Sequence, residues 1–427
     1  MSRATSSTHS HVYIETNKVI FNLKNLLSNR FSWRIVKEEA SLTRSWLYRL
    51  VAIVIVLILG IVYVIVTVHI PDILGRILSQ TFGTTSGIQE LIVLSTPFFL
   101  TALAVLIPLR IGLWNVGGEG QFFAGAWMAS AFAFIVPRLS GPLLIIGMLV
   151  AGALGGMLWI VVPALTKAYL NVNEIITTLM LDLAVIYWVD YWISGPWHYA
   201  YSQGGILESK FIPVQAHLPR IPIEGGLDSG ILIALAITVF VGVGLKYSVA
   251  GYKSRVVGSG RLVAAFTGMP MRRTIVVSFV LGGALAGIGG VLQLIGNSYQ
   301  LTPGISNNTG YLGIAVAVLA GGTITGVVVM SALLAIIMSA GQVVQLYGIS
   351  SEDVFILIGL LLVLSSIASM FSHYKLVKRD NNSIDGNNIE DPVSVLGNEI
   401  VNTVDIHPNI EWENEPIGTP NAAHNDQ

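Results

Sequence analysis

The sequence predicts an all-α, polytopic membrane protein with about ten transmembrane helices, some of them broken or re-entrant, and with both termini on the cytoplasmic side. Three observations predict it. Of 427 residues, 53% are hydrophobic and only 11% are charged, against about 25% charged in an average soluble chain. Apolar runs of roughly 20 residues, the length at which a helix crosses a bilayer, recur along most of the chain. Basic residues collect in alternate connections between these runs, as the positive-inside bias requires. A formal net charge of −1 offers no field for a nucleic-acid polymer, and the absence of cysteine excludes disulfides, thiolate nucleophiles and zinc–thiolate sites.

Residues 1–49 read as a cytoplasmic leader. Within it, "KVIFNLKNLLSNRFSWRIVKEEA", residues 18–40, alternates apolar and basic positions at helical spacing. That pattern suits a helix lying on the inner membrane surface or one packing on the cytoplasmic ends of a bundle. Residues 50–371 form the transmembrane domain, with crossings expected at 50–70, 89–109, 112–136, 142–165, 174–193, 229–247, 274–296, 311–322, 324–346 and 353–371. The first run lies too far from Met1, and is too long, to be a cleaved signal peptide. The run at 311–322 is short and followed by "GGTITG", so a re-entrant or broken helix is expected there. With the N-terminus inside, the inner segments hold the basic leader, Arg110, Lys167, the group Lys246, Lys253, Arg255, Arg261, Arg272 and Arg273, and finally Lys375, Lys378 and Arg379. The outer segments hold only Arg76, Arg138, Lys210 and Arg220. The loop at 194–228, with Pro196, Pro213, Pro219 and Pro222, is expected to form an ordered extracytoplasmic lid. Residues 372–427 form an acidic cytoplasmic tail; from Asp380 onward it has no Lys or Arg and is expected to be disordered.

No GxxxxGK followed by Ser or Thr occurs, so the chain has no P-loop of its own. No His/Glu cluster has metal spacing, and His69, His198 and His217 stand alone, so neither a metal site nor an enzyme acting on covalent bonds is expected. What remains are polar groups inside the apolar runs. In "GLWNVGGEGQFFAGA", residues 112–126, Glu119 is accompanied by Asn115, Gln121 and five glycines. Glu119 and Asp182 each lie about eight residues into an expected span, near mid-membrane at 1.5 Å per residue. A carboxylate there opposes insertion by about 2.5 to 3.5 kcal/mol on translocon scales, so it needs a cavity, a partner or a bundle interior. One reading is a broken helix that exposes backbone groups to a solute. The other is close helix packing, with Glu119 bonded to a neighbouring helix; packing explains the glycines but not the ionisable group. Gly152 with Gly156, Gly283 with Gly287, and Gly322 with Gly326 read as small-residue packing pairs.

"GLWNVGGEGQFFAGA" resembles the L-F/W-N-I/V-G-x-E-G-Q signature of the permease subunits of ABC importers for nucleosides and related simple sugars, the type served by a lipoprotein of the basic membrane protein family. These belong with the branched-chain amino acid and ribose permeases. Further matches follow in the family's order: "VNEIITTLMLD" at 172–182, "ISGPW" at 193–197, "VVGSGRLVAAFTGM" at 256–269, "SFVLGGALAGIGGVLQLIG" at 278–296 and "LTPGISNNTGYLGIAVAVLAG" at 301–321. The resemblance covers residues 100–371 and leaves out the leader and the tail.

The resemblance implies a multi-pass permease of the plasma membrane that pairs with a second permease, itself or a paralogue. It would sit on ABC ATPase subunits and receive a small-molecule solute from an extracytoplasmic solute-binding lipoprotein. The chain itself would hold no cofactor, ATP being bound by the partner subunits. Residues placed on the substrate pathway are Asn115, Glu119, Gln121 and Asp182 for the polar edge of a nucleoside, and Trp114, Tyr187 and Trp188 for its ring face. Anchoring at the membrane interface is the competing reading for the aromatics and is preferred for Tyr191, Trp192 and Trp197. The family's inner loop, here 248–273, contacts the ATPase, with Arg255, Gly258, Arg261 and Gly268 in the coupling segment; its basic residues also satisfy the positive-inside bias. Here Arg261, Leu262 and Val263 replace the family's central P-E-A, and Asp182 stands where asparagine is common. The alternatives are a permease for branched-chain amino acids or other sugars, an ion-coupled secondary transporter, and a membrane scaffold.

Overall fold

Helix ends are marked by side chains that satisfy the first free N–H groups. In the computed structural model, which describes residues 33–37, 42–70, 72–200, 207–222, 227–372 and 374–378, Thr84, Asn173, Ser248 and Thr323 each accept from a backbone N–H in the first turn of the helix that follows. The helices are α1 (Leu42–Val68), α2 (Ile73–Phe82), α3 (Thr85–Leu109), α4 (Gly118–Ile135), α5 (Gly141–Leu170), α6 (Glu174–Ser194), α7 (Gly230–Tyr247), α8 (Val249–Ser259), α9 (Arg261–Phe266), α10 (Met271–Gln293), α11 (Thr309–Leu319), α12 (Ile324–Gln345) and α13 (Ser351–Ser372). A π-turn at Leu294–Ser298 extends α10. Among the described residues, eight helices are long and apolar enough to cross a membrane: α1, α3, α5, α6, α7, α10 with its π-turn, α12 and α13.

Two of the expected crossings fall outside that set. The chain at 113–116 is non-helical, and α4 begins only at Gly118, after Gly112 turns back at φ +75°; α4 is 18 residues long but less apolar than the eight. The crossing expected at 311–322 is the eleven-residue α11. At 1.5 Å per residue it spans about 16 Å, roughly half of a hydrocarbon core. Left-handed residues bound it at both ends, Asn308 at φ +60° and Gly321 at φ +61°. The helix α2 was not expected.

The chain divides into two units. The first comprises residues 37–374. The second comprises the flanking segments, 1–36 and 375–427. Strands β1 (Trp33–Lys37) and β2 (Tyr374–Lys378) pair as a two-stranded sheet. Residues 33–37 are thus extended where the stretch 18–40 was expected to be helical. The rest of the leader up to residue 32, and the tail from Asp380, lie outside the described residues.

Within the helical unit, α3 is buried along most of its length, whereas α1, α7 and α13 expose most of theirs. The centre is α10 packed on α5, α3 and α4, with α11 against α3 and α4. Glycine makes this approach possible. A Cβ on Gly156 would overlap the Gly283 carbonyl oxygen, one on Gly287 the Gly152 carbonyl oxygen, and one on Gly125 the Gly287 backbone. Two of the three expected glycine pairs therefore face each other across α5 and α10. The third does not, since Gly322 lies in the turn before α12, at φ +77°. The long connection between α6 and α7 hydrogen-bonds along the segment after α10, through Ser209 N–H to Leu301 O at 2.9 Å, Ile212 N–H to Tyr299 O at 2.9 Å and Leu218 N–H to Ile295 O at 3.0 Å. His217 stacks on Tyr299 there, and burial holds its imidazole below the ordinary histidine range.

Replacing Gly287 by alanine forces the α5–α10 crossing apart and should destabilise the protein by about 1 to 3 kcal/mol, the usual cost of overpacking. A Cβ at Gly359, inside α13, meets nothing within 4 Å, so Gly359→Ala should cost nothing and can gain about 0.5 to 1 kcal/mol from helix propensity. Thermal denaturation of the two variants in detergent checks this, and equal melting temperatures would sink the packing account.

Candidate functional site

The site begins where α3 ends. Asn115, in the non-helical stretch after the Gly112 turn, donates through Nδ2 to Ala104 O at 3.1 Å, and it exchanges two hydrogen bonds with the Gln121 side chain, at 3.1 and 2.8 Å. These bonds hold the stretch inside the bundle, so α4 starts there with its free N–H groups away from water. Its N-cap residue, Gly117, has no side chain to satisfy them. Asp182 of α6 does so instead: its Oδ1 accepts from Gly120 N–H at 2.9 Å.

Glu119 lies in the first turn of α4 and serves a second helix. Its Oε2 accepts from Gly310 N–H at 2.8 Å, and its Oε1 accepts from the Ser306 hydroxyl. Gly310 belongs to the first turn of α11, so the N-termini of α4 and α11 meet inside the protein with Glu119 between them. Only glycine permits this contact: a Cβ on Gly310 would overlap the Glu119 backbone, and one on Gly118 would lie 3.1 Å from Gly310 O. At the other end of α11, Arg49 Nη1 donates to Leu319 O at 3.3 Å, and Arg110 Nη2 donates to Gly322 O at 3.0 Å. Acceptor oxygens at the N-terminus and positive charge at the C-terminus both complement the helix dipole.

A cavity of about 310 Å³ opens beside this junction. Its lining comprises Glu119 and Phe123 of α4, Ile186 of α6, Tyr311 of α11, and Gly304, Ser306, Asn307 and Asn308 of the turn that precedes α11. Of the residues expected on the pathway, Glu119 lines the cavity and is 2% exposed. Asp182 is fully buried beside Glu119, and its carboxyl interacts with the Tyr311 side chain. Asn115 and Gln121 are buried, with their amides bonded to each other and to Ala104 O. The aromatic candidates lie elsewhere. Tyr187 and Trp188 are 72% and 45% exposed on the outside of α6, and Trp188 joins Trp127 edge-on at 5.7 Å. Trp114 is 38% exposed, with its N–H 3.4 Å from Glu174 Oε1, and Glu174 in turn pairs with Lys167 at 2.8 Å. None of the three lines the cavity. Reading for charge alone also passed over Ser306, Asn307, Asn308 and Tyr311; the available signal was the run of turn formers "PGISNN" ahead of an apolar stretch.

At the basic end of the bundle, Arg255 of α8 donates to Leu245 O at 2.7 Å and Lys246 O at 3.4 Å, closing the C-terminus of α7. Gly258 packs so tightly on the turn after α3 that a Cβ would overlap Arg110 O. Burial first, and the charge of Arg255 second, hold the Arg110 guanidinium below the usual arginine range. Arg261 opens the short α9, whose last residue, Phe266, is 89% exposed. Gly268, in the turn to α10, has φ +66°.

The family model described as the permease component of branched-chain amino acid transport systems matches residues 87–365. The chain belongs to this permease family. It is the membrane-spanning permease subunit of an ABC importer and a multi-pass protein of the plasma membrane. Among similar proteins, a guanosine ABC transporter permease of Bacillus subtilis is 32% identical over 70% of this chain and 87% of its own. A nucleoside ABC transporter permease of Lactococcus lactis is 27% identical over 73% of this chain and 88% of its own. A glucose ABC transporter permease of Haloferax volcanii is 27% identical over 74% and 86%. No solved structure matches the chain.

The capping geometry separates two effects of Asp182 in this permease. Asp182→Asn retains an oxygen acceptor for Gly120 N–H and should keep the melting temperature close to that of the unaltered protein. Asp182→Ala leaves the start of α4 uncapped inside the bundle and should cost about 0.5 to 2 kcal/mol, as loss of an N-cap does. Thermal unfolding of the purified variants measures both; if Ala were as stable as Asn, the capping role would be wrong.

Proposed function

We propose that this permease carries nucleosides inward across the plasma membrane, by alternating access driven by ATP hydrolysed on separate ABC ATPase subunits. A second permease, identical or paralogous, completes the translocation unit, and an extracytoplasmic solute-binding protein delivers the solute. Both termini and the α8–α9 segment face the cytoplasm in this reading, in agreement with the basic residues gathered there.

The observation that carries the solute assignment is the cavity beside the α4–α11 junction. Two helix N-termini converge there at irregular backbone inside a membrane bundle, the arrangement in which transporters expose polar groups to a solute. Its lining combines hydroxyl and amide groups with Phe123, Ile186 and the Tyr311 ring. That suits a ribose on one side and a flat base on the other, and stacking contributes about 1 to 3 kcal/mol per base. A simple sugar is the second reading, favoured by the relative named as a glucose permease.

The test is uptake of radiolabelled guanosine by proteoliposomes holding the assembled complex, with ATP inside the compartment that faces the ATPase. Guanosine should accumulate only with ATP and binding protein, and an ion gradient should not replace ATP. Accumulation driven by a proton or sodium gradient alone would overturn the assignment of energy source.

The α8–α10 segment supplies the ATPase contact in the same reading. Because Gly268 adopts a left-handed φ of +66°, Gly268→Leu strains that turn by about 1 to 3 kcal/mol without touching a spanning helix. Membrane insertion should be normal while solute-stimulated ATP hydrolysis falls. Unchanged hydrolysis would move the contact elsewhere.

A further inference from the structure

We propose that the side-chain amides of Asn307 and Asn308 select the solute, and that Glu119 is a positioning residue that holds the turn carrying them. The inference rests on the reading of the cavity as the solute site. Both Glu119 oxygens are already engaged within the chain, by the Ser306 hydroxyl and by Gly310 N–H. Asn307 and Asn308, exposed along the same cavity, make no side-chain hydrogen bond among the described residues.

A local exchange explains why these amides are available. Asn308 is the N-cap residue of α11, and an asparagine there ordinarily accepts from an N–H in the first turn. Its side chain caps nothing here, since the backbone is left-handed at φ +60°. Glu119 takes the Gly310 N–H in its place. Asn307 is left-handed as well, at φ +48°, and Ser306 locks the pair: its hydroxyl donates to Glu119 and accepts from Asn308 N–H at 3.2 Å. The carboxylate thus does the capping, and the amides are released to the cavity.

Those groups define a chemical class. Each amide offers both a donor and an acceptor, as a hydroxyl does, so two neighbouring amides match a pair of vicinal hydroxyls. Phe123 and Ile186 provide an apolar wall, and about 310 Å³ lies at the small end of ligand sites. The lining holds no basic side chain among the described residues, so a neutral, vicinally hydroxylated solute fits.

The variants are Asn307→Gly and Asn308→Gly, because glycine adopts the left-handed backbone without strain and neither side chain bonds to the protein. Uptake by the assembled complex is measured for guanosine against 2′-deoxyguanosine and 3′-deoxyguanosine, and for glucose against 2-deoxyglucose, with the same binding protein so that its own preference cancels between variants. The preference for the hydroxylated member of a pair should fall about three- to tenfold in at least one asparagine variant, the worth of one neutral hydrogen bond. In Glu119→Gln, uptake of both members should fall by the same factor, with the preference retained. An unchanged preference in both asparagine variants, or a preference lost in Glu119→Gln alone, overturns the inference. Should the unaltered complex carry glucose and no nucleoside, the nucleoside assignment fails while the sugar pair still decides the role of the amides.

Discussion

The first backbone N–H groups of a helix have no partner within the helix, and inside a membrane protein no bulk water replaces one. This chain begins two helices, α4 and α11, in its interior, and the rest of the site follows from how their ends are satisfied. Asp182 serves α4 from α6, and Glu119 serves α11 from α4. Each acid is costly to bury alone, and each buried helix start is costly to leave bare. Together they offset one another, because each acid accepts from a backbone N–H that has no partner within its own helix. The question raised by a glutamate within an apolar run thus has a structural answer before it has a functional one.

The same junction organises what lies around it. Because Gly118 and Gly310 let the two backbones touch, the turn before α11 is pressed against α4, and Ser306 ties it to the Glu119 carboxylate. The cavity is the space left beside that turn. At the far end of α11, Arg49 and Arg110 hold the terminal carbonyls, and Gly258 of α8 packs on the carbonyl of Arg110 itself. A contiguous set of contacts therefore joins the cavity to the segment assigned to the ATPase. Such continuity is a physical route by which a shift of α8 reaches α11.

Around this irregular centre the bundle is regular. The α5–α10 crossing is glycine-lined and close, and with α3 and α4 it forms the frame of the bundle. A short helix such as α11 set in such a frame can present polar backbone and short turns to a solute without loosening the fold, and irregular backbone at membrane depth is tolerated only where protein or a cavity covers it. The aromatic residues of α6 belong to the outside of this frame. Trp127, Trp188, Trp192 and Trp197 form one ring cluster between α4, α6 and the start of the long connection.

Hydropathy and charge in the sequence were enough to determine the membrane class and the full-length spanning helices, because in lipid an apolar run of about 20 residues has few options besides a helix. The motif around Glu119 was equally legible, and with it the family. Tertiary structure decided the rest. Where the helix begins within an apolar stretch such as 112–136 or 311–322 depends on who satisfies its first N–H groups, and those partners, Asp182 and Glu119, stand 62 and 191 residues away from the groups they serve. Asn307 and Asn308 were invisible for the same reason. Their sequence marks them only as turn formers, and their freedom to face a solute exists because a carboxylate from another helix has taken over the cap.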